Sequence, residues 1–239
     1  MNLLLITESD LVQPDRAIIR DSRLRHMLEV HRSKVGDQVR VGLLNEFMGS
    51  AVILSLSQSE AELQLTLTEQ PPVPLPVTLV LALPRPKMLR RCLRMVAELG
   101  IKRLILLNSF RVEKSYWQTP LLSETQINEA LIAGLEQVKD TRLPLVTLHK
   151  RFKPFVEDEL PSLLKGQLGL VAHPYSVTDS PIVLPIDRPA VICIGPEGGF
   201  IPYEVDKLMQ AGCLPLDLGD RIYRVETVLP LLAGRLYSS

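Results

Sequence analysis

The chain has 239 residues, of which 46% are hydrophobic, and it carries 27 acidic and 27 basic residues, so that its formal net charge is zero. This length allows one large domain or two small ones with a sizeable core. Zero net charge argues against a protein that coats nucleic acid indiscriminately, and no apolar run is long enough to span a bilayer. The first residues lack the basic segment of a signal peptide and soon meet acidic residues, so we expect a soluble, cytoplasmic protein.

Residues 1–70 contain several short apolar runs separated by turn residues, a pattern that predicts β-strands. The predicted strands are Leu3–Ile6, Ala17–Ile19, the alternating stretch around Val39 and Val41, Ala51–Leu56 and Leu63–Leu67. A helix is predicted over Ser22–Val30. Many short strands with turn signals favour a small barrel or sandwich as the first domain.

A proline-rich stretch, QPPVPLP at residues 70–76, separates this part from the rest of the chain. Its four prolines can neither continue a helix nor pair in the middle of a sheet. We therefore predict a first domain at 1–70, a linker at 71–76 and a second domain at 77–239.

After this boundary, strands that are apolar throughout alternate with helical patterns. The predicted strands are Val77–Leu83, Leu104–Leu107, Leu168–Ala172, Val191–Ile194 and Leu214–Leu218. The predicted helices are Lys87–Leu99, Ser123–Val138, Pro202–Gly212 and Glu226–Tyr237. The alternation is typical of an α/β domain with a mostly parallel sheet that is covered on both faces.

Two loops in the second domain follow buried strands, where ligands bind in parallel sheets. The first, 195–199, reads GPEGG, and its glycines allow a ligand to approach the backbone closely. It has neither the spacing of a dinucleotide-binding loop nor the Lys-Ser/Thr of a phosphate-binding loop. A tight turn that needs a positive φ angle is the alternative interpretation.

The second loop, 219–227, reads GDRIYRVET and precedes an apolar helix. Its charged residues Arg221, Arg224 and Glu226 can form a helix cap with a surface ion pair, or they can belong to a site. The coincidence of two such loops at neighbouring strand ends favours a site.

Basic residues are concentrated in two stretches although the whole chain is neutral. The stretch in the first domain comprises Arg20, Arg23, Arg25, His26, His31, Arg32 and Lys34. The stretch in the second domain comprises Arg85, Lys87, Arg90, Arg91 and Arg94. Each can be a solvated face, but one patch in each domain favours a surface that contacts phosphates.

The three cysteines and four histidines show no metal-binding pattern. No two cysteines have the spacing of metal ligands, and the histidines form no H-x-x-H motif. We therefore expect buried, reduced thiols and no metal.

The two loops carry a pair of motifs that resembles a known family. IGPEGGF at Ile194–Phe200 and LGDRIYRVET at Leu218–Thr227 resemble the signature of the SPOUT methyltransferases. The branch that they resemble most methylates N3 of a uridine in small-subunit ribosomal RNA (the RsmE type). Supporting segments are AELGI at Ala97–Ile101, Arg111, Glu136-Gln137 with Arg142 and Pro144, and His26–Val41.

This resemblance implies a small N-terminal β-barrel similar to a PUA domain and a C-terminal α/β domain with a deep trefoil knot. It also implies a homodimer, with small-subunit ribosomal RNA or the assembled small subunit as partner, and S-adenosylmethionine as methyl donor. The cofactor-binding residues that it implies are Ile194, Gly195, Gly198, Gly199, Leu218, Gly219, Ile222 and Thr227.

Methylation of uracil N3 requires the loss of a proton and the stabilisation of the charge left on the neighbouring carbonyl oxygens. Under this resemblance we expect Arg224 to stabilise that charge. Glu226 would orient Arg224 or take the proton, and Glu197 is the other candidate base. The residues expected to contact RNA are Arg23, Arg25, His31, Arg32, Lys34, Arg85, Lys87, Arg90 and Arg91.

Two alternative functions remain open at this stage. One is another SPOUT RNA methyltransferase, such as a transfer-RNA ribose 2′-O-methyltransferase. The other is a non-catalytic RNA-binding relative that keeps the fold. Nucleoside analysis of the product distinguishes the first alternative, and binding of S-adenosylmethionine distinguishes the second.

Overall fold

The computed structural model describes residues 2–173, 185–218 and 221–237. The chain divides into two compact units. The first comprises Met1–Val73 and Ile132–Leu143, and the second comprises Pro74–Leu131 and Pro144–Ser239.

The first unit contains a curled, half-barrel sheet of six strands in the order β1-β4-β5-β6-β3-β2. The strands are β1 (Leu4–Ile6), β2 (Leu11–Gln13), β3 (Arg16–Ile19), β4 (Gln38–Leu43), β5 (Met48–Leu56) and β6 (Ala61–Glu69). Helix α1 (Ser22–Glu29) begins at Asp21, whose side chain accepts the N–H of Arg23, and it packs Leu24 and Met27 into the core. The small β-structure predicted for this region is therefore confirmed. The prediction omitted β2, which is an exposed edge strand.

The segment 132–143 joins the first unit through polar contacts. Thr141 is fully buried, and its hydroxyl donates to the carbonyl of Glu46 at 2.6 Å. The backbone N–H of Asn45 donates to the carbonyl of Thr141 at 2.8 Å, and the Asn45 side chain accepts the N–H of Leu143 at 2.9 Å. The sequence does not indicate this association, because the contacting residues are more than 90 positions apart.

The second unit contains a parallel sheet of six strands in the order β12-β10-β11-β7-β8-β9. The strands are β7 (Leu75–Ala82), β8 (Ile101–Leu107), β9 (Leu145–His149), β10 (Leu168–Ala172), β11 (Ala190–Ile194) and β12 (Leu214–Leu216). The α/β prediction is confirmed. The prediction omitted β9 because this edge strand is only partly buried and lacks a continuous apolar run.

The helices of this part of the chain are α2 (Pro86–Glu98), α3 (Glu124–Val138), α4 (Phe152–Pro154), α5 (Leu160–Leu163), α6 (Pro202–Gln210) and α7 (Val225–Leu236). A π-helical turn, Phe155–Glu159, joins α4 to α5. Helix α3 begins after Ser123, whose hydroxyl accepts the N–H of Gln126.

Strand β7 begins within the predicted linker. It starts at Leu75 and contains Pro76, although the sequence predicts that the prolines stay outside the sheet. The pairing of β7 with β8 is irregular between Leu75 and Thr78, which accommodates a residue without a backbone donor.

Helix α7 packs within the second unit. Its apolar side chains Val228, Leu229, Leu232 and Leu236 are buried, and the helix lies against α2. The trefoil knot stays a prediction, since residues 174–184 and 219–220 lie outside the described residues.

Candidate functional site

A cavity of about 700 Å³ opens at the carboxyl ends of β10, β11 and β12. After β10 it is lined by His173, after β11 by the loop from Gly195 to Phe200, and after β12 by Leu218. One face of α6 completes the wall with Pro202, Val205, Asp206 and Met209. Both loops that the sequence singles out line this cavity, which has the size of a small-molecule site.

The loop Gly195–Gly199 turns sharply and lines the cavity largely with backbone. The N–H of Gly199 donates to the carbonyl of Pro196 at 2.7 Å, and Gly199 has a φ of +72°. A Cβ atom on Gly195 would lie 2.7 Å from the nitrogen of Phe200, so a side chain there would displace the loop. The loop is therefore both the tight turn and the close-approach surface that the sequence offers as alternatives.

Glu197 connects this loop to the loop after β7. Its carboxylate accepts the backbone N–H of Arg85 at 3.1 Å, and the Nε atom of Arg85 lies 4.0 Å from the same oxygen. The Glu197 side chain is 26% exposed and lines the cavity. This carboxylate therefore takes part in holding two loops together at the carboxyl edge of the sheet.

Arg111, in the segment that follows β8, and Glu204, in α6, support the same edge. The Arg111 guanidinium donates to the carbonyl of Gly198, and Arg111 lines the cavity. Glu204 is buried and accepts the N–H groups of Phe110 and Ile201 at 2.7 and 3.1 Å. These contacts connect the β8 segment to both ends of the turn into α6.

The second predicted loop contributes a different set of residues to the cavity from the one expected. Arg221, Ile222, Tyr223 and Val225 line it. Ile222 is 72% exposed, so it forms part of the rim. The predicted residue Gly219 lies outside the described residues.

Arg224, Glu226 and Thr227 do not line the cavity as it is formed by the described residues. The Arg224 carbonyl accepts the N–H groups of Thr227 and Val228 at 2.9 and 3.0 Å, and these two hydrogen bonds begin α7. The Arg224 side chain is exposed and makes no hydrogen bond or ion pair to another described residue. Its guanidinium therefore lies exposed at the start of α7.

The two candidate bases, Glu197 and Glu226, both affect the pKa of Cys92. Burial, together with the negative charges of Glu226 and Glu197, raises the pKa of Cys92 to about 12.

The residues predicted to contact RNA have different environments. Most of them are exposed, namely Arg25, His31, Arg32, Lys34, Arg85, Lys87, Arg90 and Arg91. Arg23 is the exception, because its side chain is only 17% exposed and its guanidinium donates to Asp10, Asp21 and the carbonyl of Leu5. The structure thus gives Arg23 an internal role in the first unit.

Several cavity residues were not among the predicted site residues. Arg111 and His173 each follow the end of a strand, and that position could have marked them in the sequence. Asp206 and Met209 lie on a helix face, so their place in the cavity depends on tertiary contacts. Glu204, which does not line the cavity, is buried and was not predicted either.

Among residues 2–173, 185–218 and 221–237, no group of three or more histidine, cysteine, aspartate or glutamate residues is placed to hold a metal ion. Within the same residues, no helix has the length and apolar character needed to cross a membrane.

A family model described as "RNA methyltransferase domain" matches residues 71–236. Ribosomal RNA small subunit methyltransferase E of Treponema pallidum is 30% identical over 236 residues, which cover 95% of this chain and 87% of that relative. Ribosomal RNA small subunit methyltransferase E 1 of Borreliella burgdorferi is 24% identical over 230 residues, which cover 95% of this chain and 93% of that relative.

Solved structures show the same fold over nearly the whole chain. The Neisseria gonorrhoeae ribosomal RNA small subunit methyltransferase E, bound to S-adenosyl methionine, has a TM-score of 0.77 at 20% identity and covers 98% of this chain and 95% of its own. A putative methyltransferase from Legionella pneumophila, in complex with the same cofactor, has a TM-score of 0.75 at 21% identity. The match covers 98% of this chain and 96% of that protein.

Proposed function

We propose that this chain, which belongs to the RNA methyltransferase family, transfers a methyl group from S-adenosylmethionine to N3 of a uridine in small-subunit ribosomal RNA. The observation that carries the proposal is the cavity at the carboxyl ends of β10, β11 and β12, lined by both signature loops. The names of the two curated relatives support the RNA substrate, and the two cofactor-bound structures support the methyl donor.

The cavity fits the proposed cofactor in size and lining. At about 700 Å³ it can hold a nucleoside-sized ligand, and the loop Gly195–Gly199 offers backbone groups without side chains in the way. Ile194, Gly195, Gly198, Gly199, Leu218 and Ile222 would hold the cofactor, because all of them line the cavity. Thr227 lies outside the lining and within the first turn of α7, so we assign it to the helix start.

S-adenosylmethionine, when bound, supplies a methyl group that is already activated on a sulfonium. The chain's main task is therefore to position the uracil and to manage its N3 proton. Arg224 is the group that we assign to the charge on the uracil oxygens, because its exposed guanidinium has no partner among the described residues.

Of the two candidate bases, we favour Glu226. Glu197 accepts the backbone N–H of Arg85 and so serves to join two loops. The Glu226 side chain has no hydrogen bond to another described residue and lies two positions after Arg224, at the start of α7. It can therefore orient the guanidinium or accept the proton without breaking a loop contact.

RNA would be held by the exposed basic residues of each unit. In the first unit these are Arg25, His31, Arg32 and Lys34, and in the second they are Arg85, Lys87, Arg90 and Arg91. Since the chain as a whole is neutral, we propose that it selects a structured target, the assembled small subunit, over free RNA. A homodimer, which rests on the resemblance, and a cytoplasmic location, which rests on the character of the first residues, belong to the same proposal.

Mass spectrometry of nucleosides tests the function directly. Small-subunit RNA from a strain that lacks the protein should contain less 3-methyluridine, and the wild-type chain should restore it. The Arg224→Ala variant should fail to restore it while still binding S-adenosylmethionine. Unchanged 3-methyluridine in the deletion strain would refute the uridine-N3 assignment, and a 2′-O-methylated product would indicate the ribose alternative.

A further inference from the structure

A buried carboxylate fixes the segment after β8 against the start of α6. Glu204 is 3% exposed, and its two oxygens accept two backbone N–H groups, one from Phe110 and one from Ile201. Phe110 lies 94 positions before Glu204 in the chain, so this carboxylate joins two separate loops. A buried carboxylate with both oxygens bonded is a rigid connection, because breaking either bond leaves a polar group unsatisfied.

The next residue in the β8 segment extends this connection to the glycine loop. The Arg111 guanidinium donates to the carbonyl of Gly198, and the stem of the side chain covers Gly198. A Cβ atom on Gly198 would lie 3.0 Å from the Cδ atom of Arg111, so the glycine and the arginine are matched in shape.

Together these contacts hold the turn at two points. Arg111 holds the carbonyl of Gly198, inside the turn, and Glu204 holds the N–H of Ile201, just after it. Between the two points, Gly199 has a positive φ and no side chain, and the buried ring of Phe200 is the one side chain there. A glycine-rich segment loses much conformational entropy on ordering, so external contacts are needed to keep it in one shape.

We propose that Arg111 and Glu204 are positioning residues that pre-form the glycine loop for the cofactor, a role that rests on the proposed function. They act through the shape of the loop and not through a bond to a particular group of the ligand. Glu204 does not line the cavity, and the Arg111 guanidinium is engaged by Gly198. Their loss should weaken every ligand that occupies the loop, whatever groups that ligand carries.

The test is calorimetry with two ligands, S-adenosylmethionine and 5′-methylthioadenosine, which lacks the amino-acid part with its carboxylate. The variants are Arg111→Met, Arg111→Lys and Glu204→Gln. Arg103→Met is the matched control, because Arg103 is an exposed arginine near the other end of β8 and outside the cavity. We expect Arg111→Met and Glu204→Gln to raise Kd about tenfold for both ligands, Arg111→Lys to recover part of the loss, and Arg103→Met to change nothing.

Each other outcome has a distinct meaning. If the wild-type chain binds neither ligand, the proposed function fails. If the wild type binds both ligands and Arg111→Met binds them equally well, the positioning role is wrong. If Arg111→Met loses affinity for S-adenosylmethionine alone, the positioning role is also wrong, and Arg111 instead pairs with the ligand carboxylate. Because Arg111 is exposed, its variants should fold, so they decide the question even if Glu204→Gln does not fold.

Discussion

Arg23 and Arg25 are two positions apart in the chain, yet they have different environments. The guanidinium of Arg23 lies 2.7 Å from both Asp10 and Asp21, whereas Arg25 is exposed. The hydrogen bond from Arg23 lowers the pKa of Asp21. For Asp10, burial would raise the pKa, but the bonds from Arg23 and Thr7 outweigh it, so its pKa is also below the ordinary value. Local charge density in a sequence therefore does not separate a structural cation from a surface one.

We expect Arg23→Met to lower the free energy of unfolding by about 2 kcal/mol at neutral pH, because it leaves the carboxylate of Asp10, whose side chain is 11% exposed, without its cationic partner. Arg25→Met should leave it unchanged, since Arg25 is exposed. Urea denaturation of both variants and the wild type measures the difference. Equal midpoints for all three proteins would contradict the internal role of Arg23.

The same pair predicts a pH dependence. Because both carboxylates have lowered pKa values in the folded chain, their stabilisation is complete above about pH 4 and is lost as the pH falls through their folded-state pKa values. The difference between wild type and Arg23→Met should therefore shrink in urea denaturation at about pH 3 compared with pH 7. A difference that stays constant between these pH values would argue against the ion pair as its source.

Among the structural elements, strands with a continuous apolar run were predictable and partly exposed edge strands were not. The buried strands β7, β8, β10 and β11 lie within two or three residues of their predicted bounds, since burial on both faces requires apolar residues throughout. Strands β2 and β9 lie at sheet edges and are partly exposed, so their sequences carry no such run.

The same substitution can be compared at Gly195, in the loop Gly195–Gly199, and at Gly234, in helix α7. Gly195→Ala should lower the free energy of unfolding by about 1–3 kcal/mol and weaken S-adenosylmethionine binding, because the new Cβ would lie 2.7 Å from the Phe200 nitrogen. Gly234→Ala in α7 should raise the free energy of unfolding by about 0.5–1 kcal/mol. No atom lies within 4 Å of the new Cβ, and alanine favours a helix more than glycine does. Thermal denaturation and calorimetry measure both, and a neutral Gly195→Ala would show that the loop rearranges freely.

Taken as one molecule, the chain is neutral but carries exposed basic residues in each unit. Several other arginines are paired and cannot contribute fully to RNA binding. Arg16 lies 3.1 Å from Glu62 and Arg20 lies 2.9 Å from Glu60. The unpaired cations therefore determine where a polyanion would bind.

We expect the triple variant Arg25→Gln, Arg32→Gln and Lys34→Gln to weaken binding to small-subunit RNA and to reduce the salt dependence of log K by about one unit of slope per lost phosphate contact. Affinity for S-adenosylmethionine should stay unchanged. The control is the double variant Arg16→Gln and Arg20→Gln, whose charges are already paired. Filter binding across a salt series measures the slopes, and equal losses in both variants would mean that no specific surface exists in the first unit.

The sequence was sufficient to predict the parallel sheet and the two loops that line the cavity, because each depends on neighbouring residues with a local pattern. Three features depended on tertiary contacts: the inward role of Arg23, the addition of 132–143 to the first unit, and the support of the glycine loop by Arg111 and Glu204. The contact between Arg111 and Gly198 spans 87 positions and that between Phe110 and Glu204 spans 94. A hydrogen bond between residues so far apart leaves no periodicity in the sequence, so only the folded chain shows which polar groups are satisfied and which remain available to a ligand.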